Sequence, residues 1–441
     1  MNVLMIFADQ QHKYALGKVN PQYITPNLDA LADEGILFTN AYSPNPVCGP
    51  FRACLLTGQY SSHHKAADNA SALPDAYPNL AQHLKGAGWE CAYVGKYHLG
   101  GNGNIPIPEN LRRGFTYFMG YQCYNGFDPT PPRKNEILFR DMDNNAHIFQ
   151  RHRTDVTADL AVEMLEEMAR RKKPFFAAVS FQAPHYPEQP SDPYYALYRD
   201  TVFQKTPDYV EGIDPYTPTY TPPSAKPKEN DPDYQRYGGN MDEYLRCYAA
   251  LVSQVDAGVG KIIDALHALN LWDDTMVIYT ADHGDLQGSH GQLNKSQPFE
   301  KSAGVPFIVR TPEGPRGLVS DALISGLDIP ATALELAGVD DHGQGDGKSF
   351  VQYVRTGEGR IHDYVISEYP VCHSGEYTWQ MVRTPKYKLT VVPGTLKPIS
   401  LFDMEADPYE LCDRKDDPEM AGQIQKMTEI IQKEIYETNE G

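Results

Sequence analysis

At 441 residues the chain can build one large α/β domain with a smaller partner, and its 41% hydrophobic and 22% charged content is that of a globular protein. A formal net charge of −19 repels nucleic acid and other anionic polymers on average, while leaving room for a local basic pocket. No apolar run is long enough to span a bilayer, so no membrane partner is expected.

Met1 to Asp9 has neither a basic leader nor a small-residue cleavage site, so a cytoplasmic protein is expected unless a signal was trimmed. Residues 3–8 read instead as a short buried strand that ends in a carboxylate, Asp9. Thr25-Pro26 opens a helix, with Thr as N-cap and Pro at the first helical position, and Gly35 closes it. Further strands are expected at 36–42, 91–94, 175–181, 276–280 and 305–309. Residues 155–171 and 244–269 carry apolar positions at helical spacing, the second stretch with two glycines in it. Residues 100–145 and 188–240, rich in Pro, Tyr, Gly and Asn, read as long irregular loops, either walls around a site or surface packing. After about residue 357 come strands at 364–368, 380–383 and 387–392, and a last amphipathic helix at 419–435.

The fold class implied is α/β: a large, mainly parallel sheet sandwiched by helices over residues 1–357. A small C-terminal α+β subdomain is expected over 358–441. Seven cysteines (48, 54, 91, 123, 247, 372 and 412), odd in number and without a CxxC pair, suggest neither disulfides nor a zinc knuckle.

Three clusters carry chemistry. In Cys48-Gly-Pro-Phe-Arg52-Ala-Cys-Leu-Leu-Thr-Gly58 a proline-containing loop leads into a helix. Cys48 then sits near a helix N-terminus, where the dipole and Arg52 favour an anion. In Gly95-Lys96-Tyr97-His98-Leu99-Gly100, Lys96 and His98 alternate along an extended segment and point one way. In Ala281-Asp282-His283-Gly284 a carboxylate ends a strand, as Asp9 does, at the edge where open α/β sheets hold ligands. The two carboxylates can share a divalent cation with His283. Alone, each reads as a cap or turn residue. His185 follows Pro184 after the strand 175–181, and Lys295 lies downstream of Gly288-Ser-His290-Gly291, whose histidine reads as structural.

The first cluster resembles the signature C-x-P-x-R-x-x-x-L-T-G of the formylglycine-dependent (type I) sulfatases, in the alkaline phosphatase superfamily. The second is similar to that family's G-K-W-H-x-G string, with Tyr97 in the tryptophan place. Leu401-Phe-Asp403, Asp407-Pro408 and Glu410 resemble its closing segment. The resemblance implies an alkaline-phosphatase-like fold and oxidation of Cys48 to formylglycine by a maturation enzyme, although Phe51 stands where serine is common. It implies a metal held by Asp9, Gln10, Asp282, His283 and an oxygen of residue 48. Calcium follows from the family, and manganese is the alternative because Gln10 is neutral and His283 supplies nitrogen. Arg52 then activates the nucleophile, Lys96 and His98 hold its oxygens, and His185 and Lys295 bind the sulfate.

The expected reaction is hydrolysis of a small-molecule or oligosaccharide sulfate ester, with residues 121–127 and His373 as a sugar wall. A phosphonate monoester or phosphodiester hydrolase of the same superfamily is the nearest alternative. A non-catalytic glycan-binding homologue is the alternative of another class.

Overall fold

Segments such as Val3-Leu4-Met5-Ile6-Phe7 offer no polar side to solvent, so a strand made of them has to be covered on both faces. The computed structural model of the protein describes all residues except 76, 78, 102–105, 124–136, 216–238, 341–344, 372–377 and 438–441. The expected wall residues 124–127 and His373 lie outside the described residues.

Ten strands form the main sheet: β1 (Asn2–Asp9), β2 (Ile36–Tyr42), β3 (Glu90–Lys96), β4 (Tyr117–Tyr121), β5 (Ile137–Arg140), β6 (Ala146–Phe149), β7 (Phe175–Pro184), β8 (Thr275–Ala281), β9 (Phe307–Arg310) and β10 (Leu318–Ser325). Their order is β10-β2-β9-β8-β1-β7-β3-β4-β5-β6. The centre, β8-β1-β7-β3-β4, is parallel throughout. The margins are mixed: β9 runs antiparallel to both β8 and β2, β5 runs antiparallel to β4, and β6 antiparallel to β5. The parallel centre brings the C-terminal ends of β1, β3, β7 and β8 to one edge, and with them Asp9, Lys96, His185 and Asp282.

Helices Pro26–Asp33, Arg153–Arg171 and Met241–Ala268 pack together, as do Cys48–Thr57, Leu80–Gly86 and Asp328–Ala337. Gly258 and Gly260 leave the long helix unbroken. A Cβ on Gly258 would lie 3.1 Å from the Phe181 ring, and one on Gly260 would lie 2.4 Å from Asn27 Oδ1. They mark close packing, which their sequence pattern does not distinguish from an interruption. The stretch 100–145, expected to be irregular, contains β4 and β5, short strands that extend the sheet edge.

A second, antiparallel sheet runs β11 (Val365–Tyr369), β12 (Trp379–Arg383), β13 (Tyr387–Val391), β14 (Pro398–Asp403) in that order. Helix Ala421–Ile431 packs on β12 and β13 and continues into a π-helical turn, Gln432–Glu437, where one uninterrupted helix was expected. Buried ion pairs join the two sheets: Glu300 meets Lys13 at 2.6 Å and Lys388 at 3.0 Å, and Lys388 meets Glu410 at 2.6 Å. Among the described residues no helix is long and apolar enough to cross a membrane.

Candidate active site

Cys48 is the first residue of helix Cys48–Thr57, preceded by an extended Val47, and is 1% exposed. Its Sγ lies 3.2 Å from His283 Nε2, 3.2 Å from Lys295 Nζ and 3.5 Å from Asp9 Oδ1. Burial opposes ionisation of the thiol, but Lys295, Lys96 and His283 outweigh it and hold its pKa well below the ordinary value.

Arg52, one turn on, lies fully buried under this group. Its Nη2 donates to Asp9 Oδ2 at 2.9 Å and Asp282 Oδ2 at 3.1 Å. Its Nη1 donates to Ser180 Oγ at 2.6 Å, Tyr93 OH at 3.2 Å and the Lys96 carbonyl. One guanidinium therefore ties the ends of β1, β3, β7 and β8 together, a task its planar fork suits and a lysine would not match. Lys96 Nζ reaches Asp9 Oδ2 at 2.6 Å. Burial and Cys48 work against the Asp9 charge, yet Lys96, His185 and Arg52 keep its carboxyl ionised far below the usual range. Asp282 goes the other way: burial and the charge of Asp9 push it up to about 7.

His283 sets Nδ1 against the Gly284 carbonyl at 2.9 Å, which assigns the proton there and leaves Nε2 towards the sulfur and the carboxylates. Asp9, Cys48, Asp282 and His283 place one donor atom each within 4.8 Å of one another, all buried. Two carboxylates, an imidazole nitrogen with its proton directed away, and residue 48 make a donor set that fits a divalent cation. Gln10 lies beside this set in a left-handed conformation (φ 73°). Its backbone N–H donates to Asp282 Oδ1 at 3.0 Å, and its Oε1 accepts from Lys295 Nζ at 3.0 Å.

His185 follows the cis Ala183-Pro184 bond and donates its backbone N–H to the Asp9 carbonyl at 3.1 Å. Its Nδ1 meets the Tyr186 carbonyl at 3.0 Å, and Nε2 faces Asp9 Oδ1 at 3.9 Å. Burial, with Lys295 and Lys96 nearby, lowers its pKa to about 4. His98 is likewise lowered to about 4, chiefly by burial. It is left-handed (φ 52°), 6% exposed, and neither ring nitrogen has a hydrogen-bond partner among the described residues.

The structure thus gathers Asp9, Arg52, Lys96, His185, Asp282, His283 and Lys295 about Cys48, with Gln10 reaching it through Lys295. His290 stands apart, stacked on Phe299 at 3.8 Å between ring centroids.

Supporting residues escape a sequence reading. Asp285 accepts from Gln10 Nε2 at 2.8 Å and from the backbone N–H of Asn294 at 3.1 Å, holding in place the amide that Lys295 Nζ meets and the backbone just before Lys295. Arg153 donates to the carbonyls of His185 (3.0 Å) and Pro187 (2.7 Å), and Asn69 Oδ1 takes the Gly49 N–H at 2.9 Å. Only Asp285 had a signal, its place three residues after Asp282. The other two are ordinary polar residues until the fold is known.

A family model described as Sulfatase matches residues 1–339, and one described as N-sulphoglucosamine sulphohydrolase, C-terminal, matches residues 288–437. The chain is 31% identical to a choline-sulfatase of Rhizobium meliloti, covering 95% of this chain and 83% of that one. It is 28% identical to an ulvan-active sulfatase of Formosa agariphila, with coverage of 93% and 76%. A solved structure of a protein in complex with its substrate, D-glucosamine-2-N,6-O-disulfate, superposes with a TM-score of 0.81 at 23% identity, covering 100% of this chain and 98% of that one. With the family model matched over most of its length, the chain belongs to the sulfatase family, in the alkaline phosphatase superfamily, and is a sulfuric ester hydrolase.

Proposed function

We propose that the substrate is a carbohydrate sulfate ester and that residue 48, matured from cysteine to formylglycine, is the nucleophile. The observation that carries this reading is the setting of Cys48. It is buried at a helix N-terminus with Lys295, His283 and Asp9 within 3.5 Å of its sulfur. The names of the ulvan-active relative and of the disulfated-glucosamine complex support a sugar substrate.

Asp9, Gln10, Asp282, His283 and residue 48 would hold the metal, calcium in this reading and manganese as its alternative. A bound divalent cation lowers the pKa of a hydroxyl on residue 48 and offsets charge on the sulfuryl oxygens. The rest falls to the chain's own groups. Arg52 and Lys96 keep Asp9 ionised and hold the hydrated side chain of residue 48 in line with sulfur. One hydroxyl of residue 48, ionised with its proton released to solvent, forms the new S–O bond as the bond to the sugar oxygen breaks. Lys295 and His185 bind the sulfuryl oxygens, the electrostatic contribution that is usually largest. Lys295 carries the proton the departing oxygen needs. Burial and the two lysines keep His185 neutral in the free site, and the anionic ester favours its imidazolium, whose Nε2–H donates to a sulfuryl oxygen while Nδ1 stays on the Tyr186 carbonyl. His98, its pKa lowered by burial and raised again in part by Cys48, then takes the proton of the second hydroxyl. Sulfate leaves and the aldehyde returns.

The test is intact-mass analysis for formylglycine at residue 48, followed by turnover of sulfated mono- and disaccharides, choline sulfate and an aryl sulfate. A phosphonate monoester and a phosphodiester are run beside them. A sulfated sugar should be turned over fastest. A faster phosphonate ester would overturn the reading, as would an unmodified Cys48 in protein co-expressed with a maturation enzyme.

A further inference from the structure

Lys295 is presented by a constrained stretch of backbone. Asn294 and Ser296, on either side of it, are both left-handed, with φ of 62° and 71°. Residues with a Cβ take that conformation only where their surroundings hold them. Asn294 is held from its own loop: its N–H donates to Asp285 Oδ1 at 3.1 Å, and its carbonyl accepts from Leu286 at 2.8 Å. Ser296 is held from two other places. Its N–H donates to the Pro46 carbonyl at 3.3 Å, in the loop that leads to Cys48. Its carbonyl accepts the indole N–H of Trp379 at 2.9 Å.

Trp379 opens β12 of the second sheet and is the largest fully buried side chain among the described residues. A core position of that size asks only for an apolar ring. The indole N–H adds something the core does not need, a donor aimed at the residue beside Lys295. The cost of a left-handed residue and the net worth of one hydrogen bond are of the same order. One bond can therefore decide whether Ser296 keeps its conformation or relaxes, and relaxation would swing Lys295 away from residue 48.

We infer that Trp379 is a positioning residue for Lys295: its indole N–H locks Ser296, so the second sheet completes the site on the first. This rests on the role proposed above for Lys295. The device links three segments distant in sequence (Pro46, Ser296 and Trp379), and Lys295 Nζ at 3.2 Å from Cys48 Sγ is its product.

The test uses matured, metal-loaded enzyme in which Trp379 is replaced by benzothienylalanine, an isostere with sulfur in place of the N–H. Trp379→Phe serves as the encoded counterpart. Each is made alone and with Lys295→Ala. kcat and KM are measured on the best sulfate ester, and inorganic sulfate is titrated as an inhibitor. In the wild-type background kcat/KM and sulfate inhibition should each weaken by about three- to tenfold, with little change in Tm for the isostere and a lower Tm for Trp379→Phe, which leaves a cavity. In the Lys295→Ala background the same replacements should add nothing, a non-additivity that general loosening of the core would not produce. An equal loss in both backgrounds overturns the inference, as does a silent replacement beside a damaging Lys295→Ala. If Lys295→Ala itself changes neither turnover nor sulfate inhibition, the role of Lys295 falls, and this inference with it.

Discussion

Around Cys48 the cations Arg52 and Lys96 face Asp9 and Asp282, with Lys295 beside them, whereas between the two sheets Lys13 and Lys388 face Glu300 and Glu410. Both clusters are buried, and both contain a carboxylate raised to about 7. They differ in where the charges point. At the seam Lys388 lies between two glutamates, and Glu300 also receives Lys13 and the Tyr42 hydroxyl, at 2.9 Å. At the site Lys295 is aimed at a sulfur and an uncharged amide, and the His98 ring is buried without a hydrogen bond among the described residues. Charge that closes on itself holds a fold together. Charge and imidazole directed at one small reactive group give that group a perturbed pKa and a place for an anion. The comparison therefore predicts that the site can be damaged with little loss of fold, and the seam only at the expense of fold.

The largest expected effect is that of Cys48→Ala, which should lower turnover by at least ~10⁴-fold while leaving Tm near that of the wild type. Retained sulfatase turnover would sink the nucleophile assignment. Cys48→Ser sharpens it: serine can still attack, but it has no second hydroxyl to expel sulfate. Mass analysis should then find a sulfated residue 48. Next come two lysines of the same chemistry in opposite roles. Lys295→Met should reduce kcat/KM by about 10²–10³ with little change in Tm. Lys388→Met should cost about 3–5 kcal/mol of stability, because two buried glutamates lose the cation between them. Its folded fraction should keep its kcat. Thermal unfolding and steady-state kinetics on the same samples decide the matter, and a swapped pattern would break the comparison.

How much of this was legible in the sequence follows from the range of the forces involved. Cys48, Arg52, Lys96, His98, Asp282 and His283 sit in short strings whose spacing reflects local geometry, so a strand end or a helix start displays them. The central strands were readable because a strand buried on both faces must be apolar throughout. The antiparallel course of β9 was not, since nothing in Phe307–Arg310 encodes the direction of its neighbours. Asp285 and Arg153 were not either, because each acts on backbone groups brought to it by the tertiary fold. Glu410 shows both sides. Its motif was visible, but its work, taking Lys388 and the backbone N–H of Glu300 at 2.8 Å, needs two sheets in contact.

The smallest expected effect is a pH dependence confined to the seam. Burial raises the Glu410 carboxyl, Lys388 lowers it and Glu300 raises it again, leaving it at about 7 against an ordinary value of 4.5. Between those two values the folded protein keeps a proton that the unfolded chain has lost. Stability from Glu410 is therefore complete below about 4.5 and declines as pH rises through about 7. Glu300 has the opposite sign, because Lys13 and Lys388 overcome its burial and hold it well below its ordinary value. Its contribution is complete above about 4.5 and is lost only in more acidic solution, so the window from 4.5 to 7 belongs to Glu410. Glu410→Gln keeps an acceptor for the Glu300 N–H and removes the titration. The Tm advantage of the wild type over this variant should shrink by about 1–3 °C between roughly pH 5 and pH 7.5. The pH profile of kcat should not change, since Glu410 belongs to the seam and not to the site. A Tm difference that stayed constant across the window would show that this carboxyl titrates normally. A shifted kcat profile would show that seam and site are electrostatically one cluster.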